Sequence, residues 1–211
     1  VEYGRKRMEH KIVFATGNEG KMREVRLILA DLGMEILSMK EAGANPDIVE
    51  NGKTFGENAQ IKAQAVWEQT GGIVLADDSG LVIDYLNGEP GIYSARYMGE
   101  DTSYEIKNQA LIDRLAGVEG EDRSARFVCN IAAVLPDGQV VHTEETMEGL
   151  IAMEPAGDGG FGYDPILYLP EYGKTSAEIS IEEKNRISHR GKALEAMKVK
   201  LKEIFGEEEA R

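Results

Sequence analysis

The apolar positions of this chain change their spacing from one segment to the next. "KIVFAT" (Lys11 to Thr16) is a short continuous apolar run and predicts a buried strand. From about Glu19 to Leu32, Met22, Val25, Leu29 and Leu32 recur on one helical face, and Gly33 ends that helix. "EILSM" predicts a second strand, and a polar loop then runs to Gly52. Phe55 to Gln69 has helical spacing, with Ala59, Lys62, Ala63 and Val66 in one row; Gly71 and Gly72 stop it. "VLADDSGLVID" (Val74 to Asp84) predicts a strand, a carboxylate-bearing turn and a second short strand. "EPGIYSARYMGED" reads as a loop and Tyr104 to Leu115 as a helix. "ARFVCNIAAVLPDGQVVHTEETMEG" predicts a long hairpin that turns at Pro136, Asp137 and Gly138. Beyond the glycine-rich "PAGDGGFGYDP", Ser180 to Glu183 has the capping-box form of a helix start. The chain closes on a helix whose core stripe is Leu194, Met197, Leu201 and Ile204. Helices mixed with strands, one pair of them a hairpin, predict an α/β fold on a mixed sheet flanked by helices.

Composition narrows the picture. A chain of 211 residues, 42% hydrophobic, suits one compact domain, or one domain with two lobes around a cleft. Residues 1–10 carry no periodicity and read as a disordered N-terminal extension, residues 11–205 as the domain, and residues 206–211 as a frayed acidic tail. The longest apolar run is too short to cross a bilayer, and no signal-peptide pattern opens the chain. A formal net charge of -14 repels nucleic-acid backbones and anionic membranes, so neither is the expected partner. A small anionic substrate fits, provided that the cleft concentrates positive charge locally. The single cysteine, Cys129, forms no internal disulfide, which suits a reducing cytoplasm. A small core residue is its plainer role and a catalytic thiol the alternative.

Several short stretches carry candidate chemistry. In "FATGNEGK", Gly17 and Gly20 shape a strand-to-helix turn, where free N–H groups and Lys21 can bind an anion. The spacing is not that of a Walker A loop, and an ordinary turn is the plainer alternative. In "TFGENAQIKA", Asn58 and Lys62 share a helix face, either solvated or functional. The adjacent carboxylates of "ADDSG", Asp77 and Asp78, sit in apolar surroundings, where a charge needs compensation. A hard divalent cation with oxygen ligands would supply it, with Glu50 as a further ligand; a capping and an exposed Asp are the alternative. Phe161 and Tyr163, in the glycine-rich loop, can stack on a nucleobase or plug the core. "EKNRISHRGKA" gathers Lys184, Arg186, His189, Arg190 and Lys192, either as an anion site or as a basic helix face balancing Glu182 and Glu183. An anion-binding turn, a carboxylate pair, a base-stacking loop and a basic cluster together match a nucleoside triphosphate and its magnesium.

The order "ATGNEGK", "TFGENAQIKA", "ADDSGLVIDYLNGEPGIYSARY", "GGFGYDPI" and "EEKNRISHRGKA" resembles the inosine/xanthosine triphosphate pyrophosphatases, house-cleaning enzymes for non-standard purine nucleotides. The resemblance extends from about Lys11 to Phe205. It implies a long mixed β-sheet flanked by helices, two lobes around a deep active-site cleft, and a homodimer. It implies hydrolysis of ITP, dITP and XTP to the monophosphate and pyrophosphate with Mg2+. By the same resemblance, Thr16, Gly17, Asn18, Glu19, Gly20 and Lys21 hold phosphates, and Asp78 is the acidic catalytic residue, with Lys21 and Lys62 also catalytic. Asp78, Asp77 and Glu50 are the implied metal ligands. Ser79, Lys62, Lys184, His189 and Arg190 are implied substrate contacts, and Phe161, Gly162, Tyr163 and Asp164 line the base pocket. A related pyrophosphatase of the Maf type, acting on other nucleotides, and a non-catalytic nucleotide sensor are the competing expectations.

Overall fold

The computed structural model describes residues 11–209. The expected extension over residues 1–10 lies outside them. One mixed sheet of seven strands, in the order β2-β1-β3-β4-β5-β6-β7, organises the chain. Strand β1 (Lys11–Phe14) runs parallel to β2 (Glu35–Ser38) on one side and to β3 (Ile73–Ile83) on the other. Strands β4 (Ser124–Val134) and β5 (Val140–Ile151) form the expected long hairpin, and β4 lies antiparallel to β3. The short strands β6 (Leu167–Leu169) and β7 (Lys174–Thr175) complete the edge. Neither has enough apolar alternation to register as a strand in the sequence.

Helix α1 (Glu19–Leu29) ends sooner than its apolar row, because the chain tightens into a 3₁₀ turn over Ala30–Leu32 before Gly33 takes a left-handed conformation. Helix α2 (Phe55–Thr70) buries Ala59, Ala63 and Val66 as its spacing predicts. Helix α3 (Tyr104–Arg114) is capped by Ser103. Helix α4 (Ile181–Ile187) starts on Ser180, whose hydroxyl accepts from the Glu183 N–H, and helix α5 (His189–Glu209) follows directly. The backbone of α5 stays helical to Glu209, so the acidic end continues the helix where fraying was expected. No described helix is long and apolar enough to cross a membrane.

Two differences from the sequence reading shape everything near the carboxylates. The stretch around Asp77 and Asp78 is no turn. It pairs with β4 without interruption from Val74–Val134 to Ile83–Ala125. Pairing along both flanking apolar runs holds the polar residues extended, because breaking the ladder there would orphan backbone groups. Successive side chains of a strand leave on opposite faces. Ile73 and Leu75 therefore point with Asp77 and Ser79 toward α1 and α5, while Val74 and Ala76 point with Asp78 toward α2. The second difference is Gly91–Arg96, expected as loop and found as a 3₁₀ helix lying against β3. Gly80 permits that approach: a Cβ there would lie 2.4 Å from the Gly91 carbonyl oxygen and 2.7 Å from Ser94 Oγ.

Three apolar clusters flank this arrangement. One packs α1 and α5 on the sheet through Phe14, Met22, Leu75 and Met197. A second, including Leu81, Phe127, Leu111 and Tyr163, lies further along the same strands. Asp77 and Ser79 fall between these two clusters on β3. The third packs α2 on the opposite face. Strand β1 accompanies β3 only to the Phe14–Leu75 pair, so among the described residues no strand covers that edge of β3 beside Asp77 and Asp78.

Gly80→Ala is expected to cost about 1–3 kcal/mol through overpacking, a loss of several degrees at about 2–4 °C per kcal/mol for a chain of this size. A thermal melt superimposable on the parent protein's would show that the 3₁₀ segment yields freely and that Gly80 imposes nothing on it.

Candidate active site

Local sequence places each charged group. The Asn18 side chain caps α1 by accepting from the Lys21 N–H at 3.0 Å, which fixes the first turn and sends the Lys21 side chain over β3. Lys21 Nζ lies 3.2 Å from both carboxylate oxygens of Asp77. Arg190, in the first turn of α5, donates from Nε to Asp77 Oδ2 at 3.3 Å and reaches Glu24 of α1 at 3.0 Å. Ser79 Oγ donates to the same Asp77 oxygen. Asp77 is 1% exposed. Burial opposes its charge, but Lys21, Arg190 and Lys62 outweigh that penalty and hold the carboxyl below the ordinary range.

Asp78 has a different environment. Lys62 Nζ lies 3.5 Å from Asp78 Oδ1 and 3.0 Å from Glu50 Oε1. The Glu50 loop is fastened to the start of α2: Asn58 Oδ1 accepts from the Gly52 N–H, and Thr54 caps the helix. Asn58, which read as half of a solvated face, is buried for this purpose. Asp78 Oδ2 is buried with no hydrogen-bond partner. Burial lifts the Asp78 carboxyl to about 6; Lys62 opposes the shift, and Glu50 and Asp77 add to it.

A continuous strand therefore separates the two carboxylates that a turn would have brought together. Asp77 faces away from Glu50 and is occupied by two cations and a hydroxyl, so the expected trio of Asp78, Asp77 and Glu50 does not converge. Among the described residues, no three His, Cys, Asp or Glu side chains form a ready metal cage. Asp78 and Glu50 remain as a neighbouring carboxylate pair.

On the Asp77 side of β3 lies a pocket of about 370 Å³. Asn18, Lys21, Ser79, Phe161, Gly162, Tyr163, Asp164, Lys184, His189 and Arg190 all line it. These residues come from widely separated stretches and meet as expected. Thr16, Gly17, Glu19 and Gly20 form the approach to α1 and do not line it; nor do Asp78, Lys62 and Glu50, which lie across the strand. The pocket also includes Ser94, Ala95, Tyr104 and Phe127, which the sequence reading left out. An exposed tyrosine at a helix start and a serine in "YSARY" were the available signals.

The aromatics of the glycine loop divide their roles. Tyr163 is buried, donates its hydroxyl to the Ser94 carbonyl and meets Tyr104 edge-on at 5.1 Å between centroids. It plugs the core. Phe161 is 40% exposed, with Lys184 Nζ 4.9 Å and the Arg190 guanidinium 5.4 Å from its ring centroid. Asp164 accepts from Lys184 Nζ at 2.6 Å, from Ser176 Oγ at 2.7 Å and from the Phe161 N–H at 2.9 Å. Its carboxylate thus builds the loop and orients Lys184. The sequence offered no sign that Ser176 would be its partner. His189 is buried, its Nδ1 has no partner, and burial with Arg190 and Lys184 nearby keeps the ring neutral. Cys129 is enclosed in the core with its thiol pushed up to about 12 by burial, as suits a packing residue and not a nucleophile.

Asp77→Asn is expected to destabilise the protein by about 3–5 kcal/mol, because it strands the Arg190 and Lys21 charges. The folded carboxyl titrates below its unfolded value of 3.8, so its contribution is present above that pH and fades as pH falls toward the folded value. The gap in melting temperature between parent and variant should therefore be widest near neutrality and shrink in acid. A gap that stayed constant down to pH 2 would contradict this.

The Ham1 family profile matches residues 12–200. A protein named dITP/XTP pyrophosphatase from Geobacillus kaustophilus is 48% identical over 196 residues, which cover 93% of this chain and 96% of that one. Another so named, from Thermus thermophilus, is 50% identical over 187 residues, 89% of either chain. A solved HAM1 protein from Coxiella burnetii superposes with a TM-score of 0.84 at 43% identity, covering 92% of this chain and 98% of its own. The fold is shared along nearly the whole length, and the chain belongs to the Ham1 family.

Proposed function

We propose that this protein hydrolyses non-standard purine nucleoside triphosphates, dITP, ITP and XTP, to the nucleoside monophosphate and pyrophosphate. The names of its relatives support the reading. The observation that carries it is the division of labour at the uncovered edge of β3. One face presents Lys21, Lys184, Arg190 and His189 around a pocket that ends at Phe161. The other presents Asp78 beside Lys62 and Glu50. A polyphosphate lying across that edge meets cations along its length and a carboxylate at its scissile end.

The residues fit a divalent cation. The unpartnered Asp78 Oδ2 and the adjacent Glu50 carboxylate are oxygen donors of the kind that Mg2+ takes when it keeps waters and phosphate oxygens as its other ligands. Bound there, Mg2+ supplies charge neutralisation and orientation for attack at the α-phosphorus. Lys62 bridges Asp78 and Glu50 and holds the two carboxylates in register. Asp78 stands where it either holds the cation through Oδ2 or takes the proton from the attacking water. Lys21, Arg190 and Lys184 neutralise the departing pyrophosphate and the retained phosphate. Phe161 stacks on the base, and pocket N–H and cationic donors pair with a 6-keto oxygen. The 6-amino group of adenine would face those donors unpaired, at about 1–3 kcal/mol. The same reading includes a homodimer working in a reducing cytoplasm.

Pyrophosphate and monophosphate should appear in equal amounts from dITP and XTP with Mg2+, and neither should appear with chelator present. Release of orthophosphate instead would place the cleavage at another bond and sink the proposal. ATP should turn over about ten- to a hundredfold more slowly; equal rates on ATP and ITP would remove the keto-reading pocket. Asp78→Asn is expected to lose at least about a thousandfold in turnover while melting within a few degrees of the parent.

A further inference from the structure

Helix α3 carries no residue in the mechanism above, yet it holds a lysine that is 1% exposed. A buried ammonium costs several kcal/mol unless it is compensated. Among the described residues Lys107 has no carboxylate partner. Its Nζ donates to the Ala95 carbonyl at 2.8 Å and lies 4.7 Å from the centroid of the Tyr104 ring. The next residue, Asn108, is also buried and donates from Nδ2 to the Gly162 carbonyl at 3.2 Å. Gly162 itself packs close to Tyr104: a Cβ there would lie 3.6 Å from the ring.

Ala95 and Gly162 belong to different walls of the pocket. Ala95 lies in the last turn of the 3₁₀ segment against β3, and Gly162 is in the glycine loop, far away in sequence. A direct hydrogen bond between these walls that bypasses α3 runs from the Tyr163 hydroxyl to the Ser94 carbonyl. Lys107 and Asn108 thus grip both walls through their backbone carbonyls from adjacent positions on one helix. Both bonds go to backbone carbonyls, so neither one takes up the amide of Ala95 or of Gly162.

We propose that Lys107 and Asn108 are positioning residues that fix the width of the base pocket and so set its discrimination between purines. The inference rests on the function proposed above. A gap held to one width fixes the base in a single stacked pose, in which the 2-keto acceptor of xanthine and the similarly sized 2-amino donor of guanine make opposite hydrogen-bonding demands on the same wall; a loosened gap lets guanine shift out of that mismatch. Neither residue touches the phosphates or the Asp78 side of β3, so the chemical step should be largely spared.

The test compares the parent with Lys107→Met and Asn108→Leu, which keep volume and remove the donor. Initial rates of pyrophosphate release are measured on dITP, XTP and dGTP. Both variants should raise KM for dITP about tenfold with kcat within about threefold. The dITP to dGTP ratio of kcat/KM should fall about tenfold, and Lys107→Arg, which keeps a donor, should restore part of it. A uniform loss on all three substrates with the ratio unchanged would reduce the pair to ordinary core residues and overturn the proposal. So would failure of both variants to fold. A parent protein that released pyrophosphate from none of the substrates would instead fault the functional reading on which the inference stands.

Discussion

A carboxylate buried in the middle of a sheet is unstable unless cations meet it, and Asp77 is met from two helices at once. Lys21 comes from the first turn of α1, and Arg190 comes from the first turn of α5, nearly the whole chain away. Glu24 on α1 takes the remaining side of the Arg190 guanidinium. The ion cluster therefore joins the beginning of the chain, the centre of the sheet and the C-terminal helix. Hydrophobic packing of Met22, Val25, Leu194 and Met197 brings those helices onto the sheet, but packing alone has no preferred register. Charge pairing in a poorly solvated place does, because a displaced pair leaves an uncompensated ion.

The same cluster prepares the pocket. Arg190 is held from behind by Asp77 and Glu24, so it presents a fixed guanidinium beside Phe161 without an entropic penalty at the moment of binding. Lys184 is oriented in the same way by Asp164. Each cation lining the pocket has a carboxylate partner that holds it in place. This explains how a chain with net charge -14 keeps a site suited to a polyanion. The acidity is spread over the surface, while the pocket pairs each buried acid with a cation that turns outward.

Much of the fold could be read in the chain because its signals are local. Helical rows in α1, α2 and α5, the Pro136–Gly138 turn and the Ser180 cap are each written within a few residues. The mixed sheet followed from them. What escaped depends on contacts between distant segments. Asp77 and Asp78 resemble a turn until β4 is known to pair straight past them. Their separation onto two faces then follows from strand geometry, and it gives Asp77 to Lys21 and Arg190 as their counter-ion. Tyr163 and Phe161 have equal standing in the sequence, and only the cluster around Leu81 and Leu111 decides which one is buried. Asn58, Ser176, Lys107 and Asn108 are polar residues in unremarkable contexts. Their partners are the carbonyls, amides and carboxylates of other segments, which no spacing rule reaches.

Cys129 lies on β4 directly opposite Ser79, in the layer beneath the ion cluster. Its thiol is the only one in the protein, and it is buried between the sheet and helices α1 and α5. Openings that lift those helices to admit an alkylating reagent also draw Lys21 or Arg190 away from Asp77. A ligand that bridges Lys21, Arg190 and Lys184 suppresses those openings in proportion to its occupancy. The inert cysteine is thus a built-in chemical clock for site occupancy, readable without any substrate being turned over.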